Sequence, residues 1–143
     1  MYSLERENRI NQAVNLLLND FSFISTPQQY QTQDNFYIYN EQTNVYELDA
    51  ELFIVDKLNE LFPNTFKHFK HIRDVINRIQ RNAPIKQPDL NLVKYNNGIY
   101  DKRQNKLFPH SSRYFTINKL NLNYIEPTQQ INADNYAYLN FVD

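Results

Sequence analysis

The sequence predicts an α+β domain, and three observations carry that reading. An N-terminal segment and a central pair of segments place apolar residues at helical spacing. An aromatic, β-branched stretch between them folds back around a polar turn, as a hairpin does. The second half of the chain is a series of short alternating runs separated by polar turns, which reads as an antiparallel meander.

Taken in order, residues 3–20 put Ile10, Ala13, Val14, Leu17 and Leu18 on one helical face. Ser3 is the N-cap, and Glu5 and Glu7 suit the first turn, where the helix dipole favours negative charge. The run FSFISTPQQYQTQ, with Pro27, breaks the period and reads as a connection. DNFYIYNEQTNVYELD follows as a hairpin around 40–44. Asp49 is placed to cap a helix over 50–62, with Leu52, Val55, Leu58 (or Asn59) and Phe62 as its stripe, and Pro63-Asn64 ends it. A second helix is expected from Thr65 to Asn82. Its apolar face is Phe66, Phe69, Ile72, Val75, Ile76 and Ile79; Lys67, Lys70, Asp74, Arg78 and Arg81 fall mostly opposite, with Arg73 at the boundary. Pro84 and Pro88 make an extended linker. LNLVKY, NNGIYD, KLF and RYFTINKLNLNYI then read as strands, the last alternating at Leu120, Leu122 and Tyr124. The expected organisation is one domain over 1–127 and a tail or linker over 128–143 toward a following domain. There is no internal repeat and no low-complexity tract.

A chain of 143 residues, 41% hydrophobic and 15% aromatic, has the material for a packed core. It has no cysteine, which excludes disulfides and thiolate metal sites. No apolar run approaches the ~20 residues a membrane-spanning helix needs, and the start MYSLEREN has no signal-peptide core. The expected compartment is the cytoplasm.

The formal charge of −1 conceals a division. Residues 1–64 carry 3 Lys/Arg and 10 Asp/Glu; residues 65–119 carry 12 Lys/Arg and 3 Asp/Glu; residues 120–143 add 3 acids and no base. Either the two halves neutralise each other inside one fold, or the basic part is a face for an anionic partner.

Chemistry-bearing constellations are few. Ser111 and Ser112 beside His110 are sequence neighbours, a poor arrangement for a nucleophile and its base. His68 and His71 are three apart, where metal-binding helices use four and add an acid, so no metal site is expected. One glycine cannot build a phosphate-cradling loop, and no GK[ST] is present. No catalytic residue is assigned. Nucleic acid remains: Lys67, Lys70, Arg73, Arg78, Arg81, Lys86, Arg103 and Arg113 are the candidate contacts, with Lys102, Lys106 and Lys119 on the later sheet. Exposed Tyr or Phe among them would stack on unpaired bases.

Gly98 is the only glycine. Asn97-Gly98 marks a backbone at positive φ, either a tight turn between strands or a bulge.

The segment around it resembles a known family. Asn97-Gly98-Ile99-Tyr100-Asp101, a polar turn, Pro109-His110-Ser111 and a strand ending Tyr124-Ile125-Glu126-Pro127 match, in order and spacing, the domain that precedes the superfamily-3 helicase module. That domain occurs in primase–helicases of phages, plasmids, pathogenicity islands and poxviruses. FYIYNEQTNVYELD is similar to the family's aromatic hairpin, although Tyr46 stands where Trp is usual and its turn, NEQTN, lacks the family's frequent glycine; three positions before Asn97-Gly98, Lys94 stands where Asn is usual. The resemblance spans 35–127. It implies structural roles for Asn97, Gly98, Asp101, Pro109, His110 and Tyr124. It also implies an accessory collar or linker domain with no catalysis of its own. ATP and Mg would sit on a following AAA+-type helicase module, and sister subunits would assemble as a ring, usually a hexamer, around single-stranded or forked DNA. The competing expectation is a free-standing phage or island adaptor that binds a replication protein. Its acidic half would then be as functional as its basic half.

Overall fold

The computed structural model describes residues 3–27 and 35–126. Residues 28–33 of the expected connection, Asp34 of the expected hairpin segment, Pro127 and the expected tail at 128–143 lie outside the described residues. The chain is mixed helix and sheet, in the order α1 (Leu4–Asp20), β1 (Phe23–Ser25), β2 (Phe36–Asn40), β3 (Val45–Glu47), α2 (Ala50–Leu61), α3 (Phe69–Asn82), β4 (Leu92–Tyr95), β5 (Gly98–Asp101) and β6 (Lys106–Phe108).

α1 begins where the sequence says. Ser3 is its N-cap, and the Arg6 amide donates to Ser3 Oγ at 3.2 Å. Its face of Ile10, Ala13, Val14 and Leu17 is buried against α3. β1, β2 and β3 form an antiparallel sheet in that order. Period-two alternation divides β2 between two cores. Phe36 and Ile38 face the helices with Phe23 of β1, together with Ala50, Ile54 and Leu58 of α2 and Val75, Ile76 and Ile79 of α3. Tyr37 and Tyr39 face the other way, into a smaller cluster with Ile24, Tyr46 and Phe115. Each buried Ile, Leu or Phe contributes about 1.5–3 kcal/mol, so the helix-covered face supplies most of the stability.

Several expectations need correction. β1 is a strand where a connection was expected. All three of its residues are buried, and pairing to β2 outweighs the nearby Pro27. Asp49 precedes α2 but makes no side-chain cap hydrogen bond. α2 buries Ala50, Ile54 and Leu58, which rotates Leu52 away from the core to 63% exposure. The third helix starts at Phe69 rather than Thr65. Asn64 turns the chain at φ 66, and Phe66 drops into the core edge-on to Phe62, with ring centroids 5.7 Å apart. Burying Phe66 leaves Lys67 outside the helix. Phe69 then projects from the first turn, 71% exposed, with the Arg73 guanidinium 5.5 Å from its ring.

β4, β5 and β6 make the second antiparallel sheet. The expected fourth strand over 113–125 is a single-bridge edge, and it runs parallel to β4. After β6 the chain crosses the molecule. Ser112 O accepts from the Tyr46 hydroxyl, and Phe115 seats on Tyr37 and Tyr46 at 5.1 and 5.3 Å. The chain therefore returns to the outer edge of β4 in β4's own direction. There the Lys94 amide donates to Asn118 O and the Leu120 amide to Lys94 O. Leu120 and Leu122 are 44% and 52% exposed, so their alternation does not mark a buried face.

Gly98 opens β5, opposite Tyr95, after the two-residue turn Asn96-Asn97. Its φ is +156°, and neither asparagine has positive φ. A Cβ at Gly98 would lie 2.5 Å from the Phe108 carbonyl oxygen and 3.0 Å from Leu107 Cγ. The glycine is there because β6 passes too close for any side chain.

Candidate nucleic-acid interface

The eight candidate cations do not form one set. Arg78, on α3, is a staple to α1. It reaches Glu7 at 2.8 Å and Asn11 at 2.8 Å while holding Asp74 at 3.2 Å on its own helix. The hydrogen bond it donates to Glu7 leads the interactions that raise its pKa further above the ordinary arginine value. Arg73 pairs with Glu51 of α2 at 2.8 Å. Arg103 reaches Asp89 at 2.6 Å and Asp101 at 3.3 Å. These three arginines serve internal contacts. Lys67, Lys70, Arg81 and Lys86 are exposed on or beside α3, and Arg113 lies 5.4 Å from the Tyr114 ring.

The motif residues gather around the turns of the second sheet. Asn97 Nδ2 donates to Tyr124 O at 3.0 Å, and the Tyr124 amide donates to Asn97 Oδ1 at 2.8 Å, so one side chain clamps the edge segment as a backbone would. Asp101 is buried. Its Oδ1 accepts from the Arg103 amide at 2.9 Å, closing the β5–β6 turn. Burial pushes the Asp101 carboxyl up, but the Arg103 hydrogen bonds and charge, with Gln104, outweigh it and hold the pKa below the ordinary value. His110 Nε2 lies 3.1 Å from Asn96 O. A carbonyl only accepts, so Nε2 carries the proton; Nδ1 is buried without a partner among the described residues. Pro109 is exposed.

Sequence reasoning missed a cluster of three tyrosines. By register Val93, Tyr100 and Leu107 lie side by side on one face of the second sheet, with Tyr95 two residues beyond Val93. Tyr100 and Tyr124 stack at 4.4 Å, and Tyr95 stands edge-on to Tyr124 at 5.3 Å. The Tyr100 hydroxyl donates to Asn105 Oδ1 at 2.7 Å. Burial leads the causes that push the Tyr124 phenol up to about 12; the neighbouring Tyr100 and the Glu126 charge add to it. The period-two spacing of Val93 and Tyr95 was the available signal; the returning Tyr124 was not predictable from local pattern.

Charge is distributed unevenly across the described residues. Glu5, Glu7, Glu51, Glu60, Asp74, Asp89 and Asp101 stand in ion pairs. Asp20, Glu41, Glu47, Asp49 and Asp56 do not, and all five line a groove of about 770 Å³ between the β2–β3 hairpin, α2 and the 110–112 crossing. Leu52 and Phe53 form its apolar wall. Of the cations, Lys86, Lys94, Lys102, Lys106, Arg113 and Lys119 belong to no ion pair among the described residues.

His68 and His71 stack edge-on at 5.3 Å, and Arg6 Nη1 donates to His71 Nδ1 at 3.2 Å. Desolvation and the Arg6 charge lower the His71 pKa. Among the described residues no three His, Asp or Glu side chains converge to hold a metal ion, and no helix is long and apolar enough to cross a membrane. No protein-family model matches this chain, and no curated protein matches it.

Proposed function

We propose that this chain is an accessory domain of a replicative primase–helicase of a phage or related mobile element. It contributes DNA engagement and subunit assembly beside an ATP-driven AAA+-type helicase module, and catalyses nothing itself. The observation that carries the reading is the state of the second half's cations. Residues 86–125 hold seven Lys/Arg against two Asp, and both Asp are taken by Arg103. The acidic half therefore does not neutralise this region, which keeps a surplus of positive charge for phosphates. The Asn-Gly to Tyr-x-x-Pro motif supplies the family context. The α3 arginines are weaker contacts than their sequence suggests, because Arg73 and Arg78 are engaged inside the molecule.

The test is binding of a labelled single-stranded 20-mer as a function of salt. Lys102→Glu with Lys106→Glu should weaken binding about tenfold or more at low salt and flatten the salt slope by about one to two, with the melting temperature unchanged. Unchanged affinity would remove the second sheet from the interface. ATP hydrolysis by the pure chain would contradict the non-catalytic assignment.

A second reading, the adaptor that binds a replication protein, is favoured by the groove with its apolar wall and five carboxylates that stand in no ion pair among the described residues. A basic, partly apolar peptide of a partner would suit it. Retention of a replication protein without DNA affinity at low salt would select this reading over the first.

A further inference from the structure

We propose that the outward face of the second sheet, built from Tyr95, Tyr100 and Tyr124, is a stacking platform for the unpaired bases of single-stranded DNA. This rests on the DNA-engaging reading above and goes beyond it by giving the contact its residues and the strand its form.

A patch of tyrosines on a sheet is most often a small core of its own. Three features argue otherwise here. None of the three rings belongs to either apolar cluster among the described residues. All three remain partly exposed over Val93, the one buried side chain between them, while the opposite face of the same sheet buries Leu92, Ile99 and Asp101. The rings are also fixed before any ligand arrives: Asn97 clamps the Tyr124 backbone, Asn105 holds the Tyr100 hydroxyl, and Tyr95 is braced edge-on. Pre-set rings lose little freedom when a base stacks on them.

The surrounding charge selects the ligand. Lys102 follows the β5 strand that carries Tyr100; Lys119 lies in the edge segment that carries Tyr124, but its bridge to Lys94 places it on the opposite face, so it adds to the charge of the edge rather than to the tyrosine face itself. Neither is in an ion pair among the described residues. Phosphates draw to such a rim, and aromatic faces accept any base, which is the combination that binds single strands without sequence preference. Paired bases offer no free face, so duplex DNA would use the cations alone. Glu126, two residues beyond Tyr124 and exposed, is a repulsive group at this edge. Its neutralisation as Glu126→Gln should tighten binding about two- to threefold.

The experiment uses the full chain and two fluorescein-labelled strands of equal length, oligothymidine and the same backbone made abasic. Wild type should bind the thymidine strand about tenfold tighter than the abasic one. Tyr95→Leu should bring the two affinities together, and Tyr95→Phe should preserve the difference. Equal affinity of wild type for both strands overturns the platform. So does a folded Tyr95→Leu protein that keeps the difference. If Lys102→Glu with Lys106→Glu still weakens binding in either case, the DNA reading stands without the platform. If wild type binds neither strand, both readings fall. Tighter binding of the matching RNA strand or of duplex DNA overturns the single-stranded DNA assignment. Should Tyr95→Leu not fold, the abasic comparison on wild type decides. Photo-crosslinking of a bromodeoxyuridine strand also decides: adducts on Tyr95, Tyr100 or Tyr124 support the platform, and adducts confined to α3 overturn it.

Discussion

The β2–β3 and β5–β6 hairpins are built on one plan and put to different uses. Tyr39-Asn40-Glu41-Gln42-Thr43-Asn44 and Tyr100-Asp101-Lys102-Arg103-Gln104-Asn105 turn the chain in the same register, pairing Asn40 with Val45 and Asp101 with Lys106. In each, the first Asx side chain accepts from the amide two residues on, at 2.8 and 2.9 Å. In each, the closing asparagine is left-handed, at φ 61 and 54, and receives the preceding tyrosine's hydroxyl. Even the sheets correspond, because each gains a parallel bridge on its first strand: Ser25 with Ile85 and Lys94 with Lys119. The difference lies around them. The first hairpin is enclosed between helices and Phe115 and carries Glu41 and Glu47 at the groove. The second is open on its tyrosine face and carries Lys102 and Lys106. Turn geometry is therefore a local property of six residues, while the character of each surface comes from what packs behind it.

The largest effect should come where the symmetry fails. Only the second sheet has a glycine, and Gly98→Ala forces a Cβ onto the Phe108 carbonyl. A loss of about 1–3 kcal/mol is expected, seen as a lower melting temperature. An unchanged melting temperature would mean that β6 does not pass that close.

Next come the closing asparagines. Asn44→Ala and Asn105→Ala each put alanine in a left-handed conformation and remove the bond from a tyrosine hydroxyl, for about 1 kcal/mol each by chemical denaturation. Similar losses are the outcome a shared local turn demands. A much larger loss at Asn44 would show that the enclosed hairpin draws on its surroundings.

The smallest effect on stability should come from exchanging residues 41–43 with 102–104. The turn backbone accepts either tripeptide and the residue-103 amide still reaches Asp101 Oδ1, so the change is confined to the part-buried side-chain bonds of Arg103 and Gln104 to Asp101, for no more than about 1 kcal/mol. Affinity for single-stranded DNA should still fall, because the basic tripeptide has moved to the other hairpin.

The helices, both hairpins and the order of elements were legible because periodicity and turn chemistry are local. α1 follows its apolar spacing and its Ser3 cap, and the Asn-Gly signal located the bend at 96–98. What was not legible depends on distant partners. β1 is a strand because β2 and the 84–86 linker flank it. Phe69 looked like part of a core stripe, but Asn64 and Phe66 delay the helix. Among the candidate contacts, charge type was readable and engagement was not. Nothing near Arg78 in the sequence says that Glu7, some seventy positions earlier, will hold it.

The crossing from β6 to Phe115 also has a kinetic consequence. The β4–β5–β6 meander can assemble from contacts close in sequence, but the 118–122 edge reaches Lys94 only after the chain has been carried across the first sheet. Seating Phe115 among Tyr37 and Tyr46 needs the first hairpin already in place. The topology thus predicts an order of folding: the first hairpin closes, the crossing locks, and the outer edge of the second sheet, with Tyr124, completes last.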